Sequence, residues 1–446
     1  MPRLTLCWLR RDLRLHDHAA LYHALKSGTP VLPVFIFDQE ILDALDDRRD
    51  RRVEFIHREI TRLREELRAM GTALIVRYGK PLDVWRDLVR DYEIAEVHAA
   101  RDYEVYAKDR DAAVEKLLAE HGAALHRHKD QVIFEGDEVR TGGGTPYTVF
   151  GPYRKRWQAT VNEFYLKSYP TERYVEHFFK TDPLPVPTLA EMNFEAVGEP
   201  FPSREIDLKI IRTYDRTRET PALERSTTKL GLHLRFGTVS IRELTRAAQS
   251  ANETFLSELI WRDFYFQVLD HFPRVSVGRA FREAYEGIRW RNDEEEFRAW
   301  CEGRTGYPLV DAGMRQLNAT GFMHNRVRMV TASFLIKHLL IDWRWGEAYF
   351  AQKLLCYDQA ANNGGWQWAA GSGTDATPYF RVFNPASQQK KFDPTFAYVK
   401  QWVPEFGNPA YPKPIVEHEF ARERVLAAYR TALKPGSRKI SVGSFE

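Results

Sequence analysis

The stretch VEFIHREITRLREELRAMGTALIVR, residues 53–77, changes period partway along. Val53, Ile56, Ile60, Leu63, Leu67 and Met70 step by three and four, which is the spacing of one helix face. Gly71 then offers the left-handed conformation that commonly ends a helix. Beyond it, residues 73–77 form a short apolar run of strand type. Similar runs occur at 4–9, 31–37, 95–100 and 124–128, and residues 82–92 and 107–121 predict further helices. Regular strand–helix alternation calls for right-handed crossovers. The expected fold of residues 1–130 is therefore an α/β domain, a doubly wound, five-stranded parallel sheet. No GxGxxG follows the first strand, so the dinucleotide fingerprint of such sheets is missing.

The alternation stops near residue 130. Residues 131–202, with GGGTPYTVFGPYRKRW and the proline-rich DPLPVPTL, read as an interdomain linker on the surface. Its Arg154, Lys155 and Arg156 suit a solvated helix face. From 203 to 446 the pattern is helical throughout, with helices expected at 241–250, 255–272, 294–300, 309–320, 325–341, 345–355 and 421–433. A short polar tail follows Leu433.

At 446 residues the chain is long enough for more than one core. The 43% hydrophobic and 28% charged content is that of a globular protein, and +3 net charge leaves any nucleic-acid binding to local basic patches. Cys7, Cys301 and Cys356 are too scattered for a disulfide framework and too few for an ordinary four-thiolate iron–sulfur cluster. The first dozen residues are too charged for a secretion signal, and no apolar run approaches the ~18 residues that span a bilayer. A monomer in the cytoplasm, with no membrane partner and no metal, is the expectation.

Four stretches carry candidate chemistry. In FLSELIWRDFYFQVL, residues 255–269, Glu258, Trp261, Arg262 and Tyr265 fall on one helix face. They are either a Glu–Arg pair beside a packed indole or an acid in a pocket with an aromatic wall. In GFMHNRVRMVTASF, residues 321–334, Asn325 and Met329 share a face with Arg328 beside them; Met329 suits a core as well as a ligand contact. RSTTKLGLHLRFGTVS, residues 225–240, offers hydroxyls and a cation at a helix start, for an N-cap or a phosphate. NNGGWQWAAG, residues 362–371, sets two asparagines and two glycines beside Trp366 and Trp368. Two residues along a helix turn by about 200°, so these indoles face nearly opposite ways.

Taken together with WLRRDLRLHDHAAL (8–21), TGYPLVDAGMRQL, NNGGWQWAAGSGTDATPYFRVFNP and QQKKFDP, these stretches resemble the photolyase/cryptochrome family, in its order and over essentially the whole chain. The likeness is greatest to cyclobutane pyrimidine dimer photolyases of class I type. It implies an antenna-type α/β domain, a linker and a helical FAD-binding domain. Tyr214, Thr227, Thr228, Lys229, Leu230 and Gly231 match the phosphate side of a bent FAD. Arg262, Arg328, Asp358 and Asn362 match further flavin contacts, with Asn362 near the reactive ring nitrogen. Trp366, Trp343 and Trp290 match an electron relay to the surface. Trp261 and Trp368 match the indoles that clasp a flipped dimer, with Glu258, Asn325 and Met329 lining the same pocket. Arg218, Arg326 and Arg381 match contacts to the phosphates of UV-damaged DNA. The implied activity is light-driven dimer repair by electron transfer from reduced FAD.

The resemblance also ranks the substrates and rivals. Photolyases for (6-4) photoproducts carry histidine where Met329 stands, so a cyclobutane dimer is the expected lesion. A blue-light photoreceptor of cryptochrome type is the alternative, set against by Asn362, where plant cryptochromes tend to have Asp and insect ones Cys. A module that merely binds DNA would need neither relay nor flavin contacts. Two departures stand out. Cys356 occupies the usual position of an Asp paired with the arginine matching Arg328. Tyr106, Ala107 and Val277 replace the Asn, Glu and Lys of folate-binding members, which leaves a deazaflavin, a second flavin or no antenna open.

Overall fold

The computed structural model describes residues 3–434. The end of the polar tail expected after Leu433 lies, from residue 435, outside the described residues. Two compact units alternate along the chain. Among the described residues the first comprises 3–139, 155–208 and 228–266; the second comprises 140–154, 209–227 and 267–434.

In the first unit, β1 (Leu4–Leu9), β2 (Val31–Asp38), β3 (Ile75–Gly79), β4 (Ile94–Ala100) and β5 (Ala124–His128) form a parallel sheet in the order β3-β2-β1-β4-β5. The order reverses at β1, as in a doubly wound sheet. β1 and β2 are buried along their whole length, whereas edge strand β5 alternates. β3 starts two residues later than expected, because Ala73 and Leu74 are buried ahead of the first paired residue, Ile75. The helix Arg51–Ala69 is capped by Asp50 and buries Val53, Ile60, Leu63 and Leu67. Gly71 follows it at φ +74°, the conformation its sequence position called for.

The motif after β1 is an anchor. Arg14 pairs with Asp130 at 2.6 Å, and Arg242 pairs with Asp130 at 2.8 Å and with Asp17 at 2.9 Å. All four side chains are buried. Burial works against the Asp130 carboxylate, but Arg14 and Arg242 hold it well below the usual range. Gly237, at φ +64°, lies so close to this motif that a Cβ would fall 2.1 Å from the Arg11 carbonyl oxygen. Only glycine fits there.

Residues 150–160, within the segment read as a surface linker, form the helix Phe150–Thr160. Arg154, Lys155 and Arg156 face solvent in whole or part, as expected, but Trp157 is fully buried.

The second unit is helical. Its core gathers Trp300, Met314, Val327, Phe334, Trp343, Phe350, Trp366 and Tyr398. The helix expected over 325–341 is shorter: it spans Asn325–Ser333, continues as a π turn, Phe334–His338, and stops where Leu340 takes φ +53°. The next helix, Trp343–Lys353, starts two residues earlier than expected, because Asp342 caps it by accepting from the Arg344 N–H at 3.0 Å.

Candidate functional site

The helix Gln359–Ala370 carries the NNGGWQW motif in the second unit. Asp358 caps it, its carboxylate accepting from the Ala360 N–H at 3.1 Å. Asn362 Nδ2 donates to the Glu347 carboxylate at 2.9 Å and to the Glu347 carbonyl at 3.2 Å. These bonds fix the amide and direct its acceptor oxygen elsewhere. Burial raises the pKa of Glu347, and the Asn362 donor pulls it back. Glu347 was not singled out from the sequence, although it stands one helical turn beyond Trp343.

Trp366 is 3% exposed and packs edge-on against Phe350, with ring centroids 5.0 Å apart, and against Trp300 at 6.1 Å. Its indole lies directly over Gly346, where a Cβ would come within 2.1 Å of the ring. The close approach is therefore made at Gly346, outside the quoted motif. A Cβ at Gly365 would meet nothing within 4 Å. Trp368 is only half-buried, so the two indoles do occupy different environments. Trp343 is buried in the same core as Trp366, and half-buried Trp290 packs against that core.

The C-terminal end of this helix is pinned. The Ala370 carbonyl accepts from Tyr429 Oη at 2.9 Å and from Lys337 Nζ at 3.3 Å. Lys337 lies in the π turn, is fully buried, and holds its ammonium 3.9 Å from the centre of the Tyr429 ring. Burial pushes its pKa down to about 7.

His324 caps the helix Asn325–Ser333 by accepting from the Arg326 N–H at 3.2 Å. Val327 sits against Gly313 of a neighbouring helix, where a Cβ would come within 2.4 Å of it. That contact sets the helix on the core. Asn325 is exposed and Met329 half-buried, one turn apart. Arg328 donates to the Met323 carbonyl at 2.7 Å and reaches Cys356 Sγ at 3.4 Å. The Cys356 departure thus falls on the Arg328 partner position itself. Arg326 donates to Glu219 and stacks on Phe392 at 4.4 Å; Arg218 approaches Glu219 at 3.5 Å and lies over the ring of buried Tyr214 at 5.2 Å. Partial burial raises the Glu219 pKa, but the two arginines bring it below the ordinary value. Arg381 is exposed, and Thr227 half-buried.

The remaining candidates lie in the first unit. Thr228 Oγ1 accepts from the Leu230 N–H at 3.4 Å, Lys229 takes φ +54°, and Gly231 opens the helix Gly231–Phe236 behind buried Leu230. The helix Glu253–His271 carries half-buried Glu258, Trp261 and Arg262. Trp261 lies 5.4 Å from Tyr265, and Arg262 donates to the Gln131 carbonyl while covering Phe266 at 4.6 Å. Asp263 was not singled out. Its Oδ2 accepts from Trp157 Nε1 at 2.9 Å and from the Ile133 and Phe134 N–H groups at 3.1 and 3.2 Å. Burial raises its pKa to about 6, against the pull of these donors. An acid inside WRDFYF signals such an internal partner.

The second unit thus offers the Asn362 amide, the Arg328 guanidinium and the Asp358 carboxylate; the first offers the Thr228 hydroxyl and the cations Lys229 and Arg262.

Comparison with known proteins gives one family. Residues 5–173 match the family model described as DNA photolyase, and residues 255–410 match the FAD binding domain of DNA photolyase. A deoxyribodipyrimidine photo-lyase of Synechococcus is 37% identical, over 96% of this chain and 97% of the relative. A bacterial class III photolyase from Agrobacterium tumefaciens superposes with a TM-score of 0.83 at 32% identity, covering 97% of this chain and 98% of that one. A Synechocystis cryptochrome superposes with a TM-score of 0.82 at 26% identity, covering 96% and 99%.

Proposed function

The chain belongs to the photolyase/cryptochrome family, and on that premise we propose that it is a light-driven enzyme that splits cyclobutane pyrimidine dimers in UV-damaged DNA. The near-full-length match to deoxyribodipyrimidine photo-lyases carries this reading. Among the described residues no helix is long and apolar enough to cross a membrane. The free Cys7, Cys301 and Cys356 suit a reducing compartment, and we place the protein in the cytoplasm as a monomer.

The residues present fit FAD. Asn362 offers a fixed amide, Arg328 a guanidinium, and Thr228 and Lys229 a hydroxyl and a cation for the phosphates. Bound in its reduced form, FAD supplies the photoexcited electron that opens the dimer and is then returned. The chain's own residues hold the lesion and keep the flavin supplied with electrons. Trp261 and Trp368 stack the flipped bases, a step general to enzymes that work on extruded bases. Asn325 and Met329 line the pocket, and Met329, unable to transfer a proton, suits a dimer that needs none. Glu258 hydrogen-bonds the lesion's carbonyl edge, a role that needs its carboxyl in the protonated, donating form to stabilise developing negative charge. Arg218, Arg326 and Arg381 hold phosphates without reading sequence. Trp366, Trp343 and Trp290 run from buried to half-exposed, the order that an inward electron relay requires.

The test is repair of a thymine-dimer oligonucleotide by the reduced protein, under blue light and in darkness. Light-dependent recovery of thymine is expected. No recovery with reduced flavin bound would favour a blue-light photoreceptor, the reading that the likeness to the Synechocystis cryptochrome supports.

A further inference from the structure

A histidine cluster on the sheet of the first unit takes no part in the chemistry above. Glu96 and His98 lie two apart on β4, and so on one face. His126 of edge strand β5 is the register partner of His98. One ligand atom from each of Glu96, His98 and His126 lies within 4.8 Å of the other two. The Glu96 carboxylate is 3.0 Å from His126 Nε2 and 3.4 Å from His98 Nε2. Ligand atoms about 2.0–2.1 Å from a tetrahedral zinc ion are roughly 3.3–3.4 Å apart. Each imidazole nitrogen thus lies against a different oxygen of the Glu96 carboxylate, at a separation near the one a metal imposes.

A second observation points the same way. His98 is 6% exposed, and its Nε2 is buried without a hydrogen-bond partner. A buried polar atom left in this state is costly. Its other nitrogen, Nδ1, is bonded to His128 Nε2 at 2.8 Å. His128 lies flat between His98 and His23, with ring centroids 5.1 and 4.4 Å away. With the proton on Nδ1, His98 turns the lone pair of Nε2 toward Glu96 and His126. This is the usual outer hydrogen bond of a metal-ligating histidine.

We propose that Glu96, His98 and His126 bind one divalent cation of zinc type across β4 and β5, with water in the fourth position. Two imidazoles and one carboxylate select zinc, cobalt, nickel or copper over magnesium or calcium. His126 is exposed, so the ion enters from solvent and the water stays exchangeable. The ion would fasten the edge strand to the interior of the sheet.

The test uses the flavin-loaded, full-length protein after chelation and dialysis, titrated calorimetrically with zinc chloride at neutral pH. One saturable site is expected, with magnesium chloride giving none. Glu96→Gln and His126→Ala, both on the solvent side, should weaken zinc binding by about tenfold or more, and His128→Ala by about 10–100-fold. His121→Ala, at an exposed histidine elsewhere in the unit, should leave it unchanged. Zinc should raise the melting temperature of the parent protein and not that of His126→Ala. Absence of a saturable site would overturn the proposal. So would zinc binding of parental strength in both Glu96→Gln and His126→Ala.

Discussion

The side-chain amide of Asn362 is held by Glu347, through one bond of 2.9 Å to the carboxylate and one of 3.2 Å to the backbone carbonyl. The residue assigned to the flavin ring is thus oriented by a residue on another helix. Glu347→Ala should keep flavin bound but leave the amide held by the backbone bond alone. Loss of one hydrogen bond, ~0.5–1.5 kcal/mol, corresponds to a two- to tenfold fall in repair yield. Quantum-yield measurement on the reduced variant checks this; a parental yield would refute the orienting role.

Trp366→Phe should abolish photoreduction of the oxidised flavin. It should spare repair once the flavin has been reduced chemically, since the relay acts before the lesion is engaged. Absorbance changes under blue light, followed by a repair assay with dithionite-reduced protein, separate the two. Normal photoreduction in the variant would remove Trp366 from the relay.

Gly346→Ala should destabilise the second unit by about 1–3 kcal/mol, because the new methyl overlaps the Trp366 ring. Trp366→Phe in the same chain should recover part of that loss, as contacting residues are not additive. Denaturant unfolding of the two single variants and the double variant completes the cycle.

Lys337 gives a pH dependence of definite sign. Its pKa is about 7 in the folded protein against an ordinary 10.5, so between these values only the unfolded chain holds the proton. Lys337 thus makes stability rise with pH in that window, by up to about 1.4 kcal/mol per pH unit. The stability of the parent protein relative to Lys337→Met should grow between pH 7 and pH 10. A constant difference across that range would contradict the assignment.

Cys356→Asp should place a carboxylate against Arg328 in place of a weakly accepting thiol 3.4 Å away. Charge-assisted bonds are roughly twice as strong as neutral ones. Slower flavin release on dilution is expected, and unchanged release would show that the position is indifferent to charge.

What could be read from the sequence depended on how local the cause was. β1 and β5 fall where their apolar runs end, and the helix Arg51–Ala69 follows its own period to Gly71. The break at Ser333 has no such signal: the apolar spacing continues through the π turn, and what stops the helix is the backbone at Leu340. Asp342 could have been recognised as a cap, since it directly precedes the helix. The partners of Asp263 and Glu347 could not be named, because each lies in another part of the chain. For Asp263 and Trp157 the separation is 106 residues. Gly346 shows the same limit: its lack of a side chain acquires meaning only from Trp366.

The pairing of Arg242 with Asp130 has a consequence for how the protein is made. Arg242 follows Asp130 by 112 residues. At about 5–20 residues per second, a ribosome needs roughly 6–20 s to bridge that gap. During this interval all five strands have been synthesised while Asp17 and Asp130 await the guanidinium that joins them. A nascent chain halted before Arg242 holds Asp130 by Arg14 alone and leaves Asp17 without its guanidinium, and the first unit is complete only after more than half of the protein has been made.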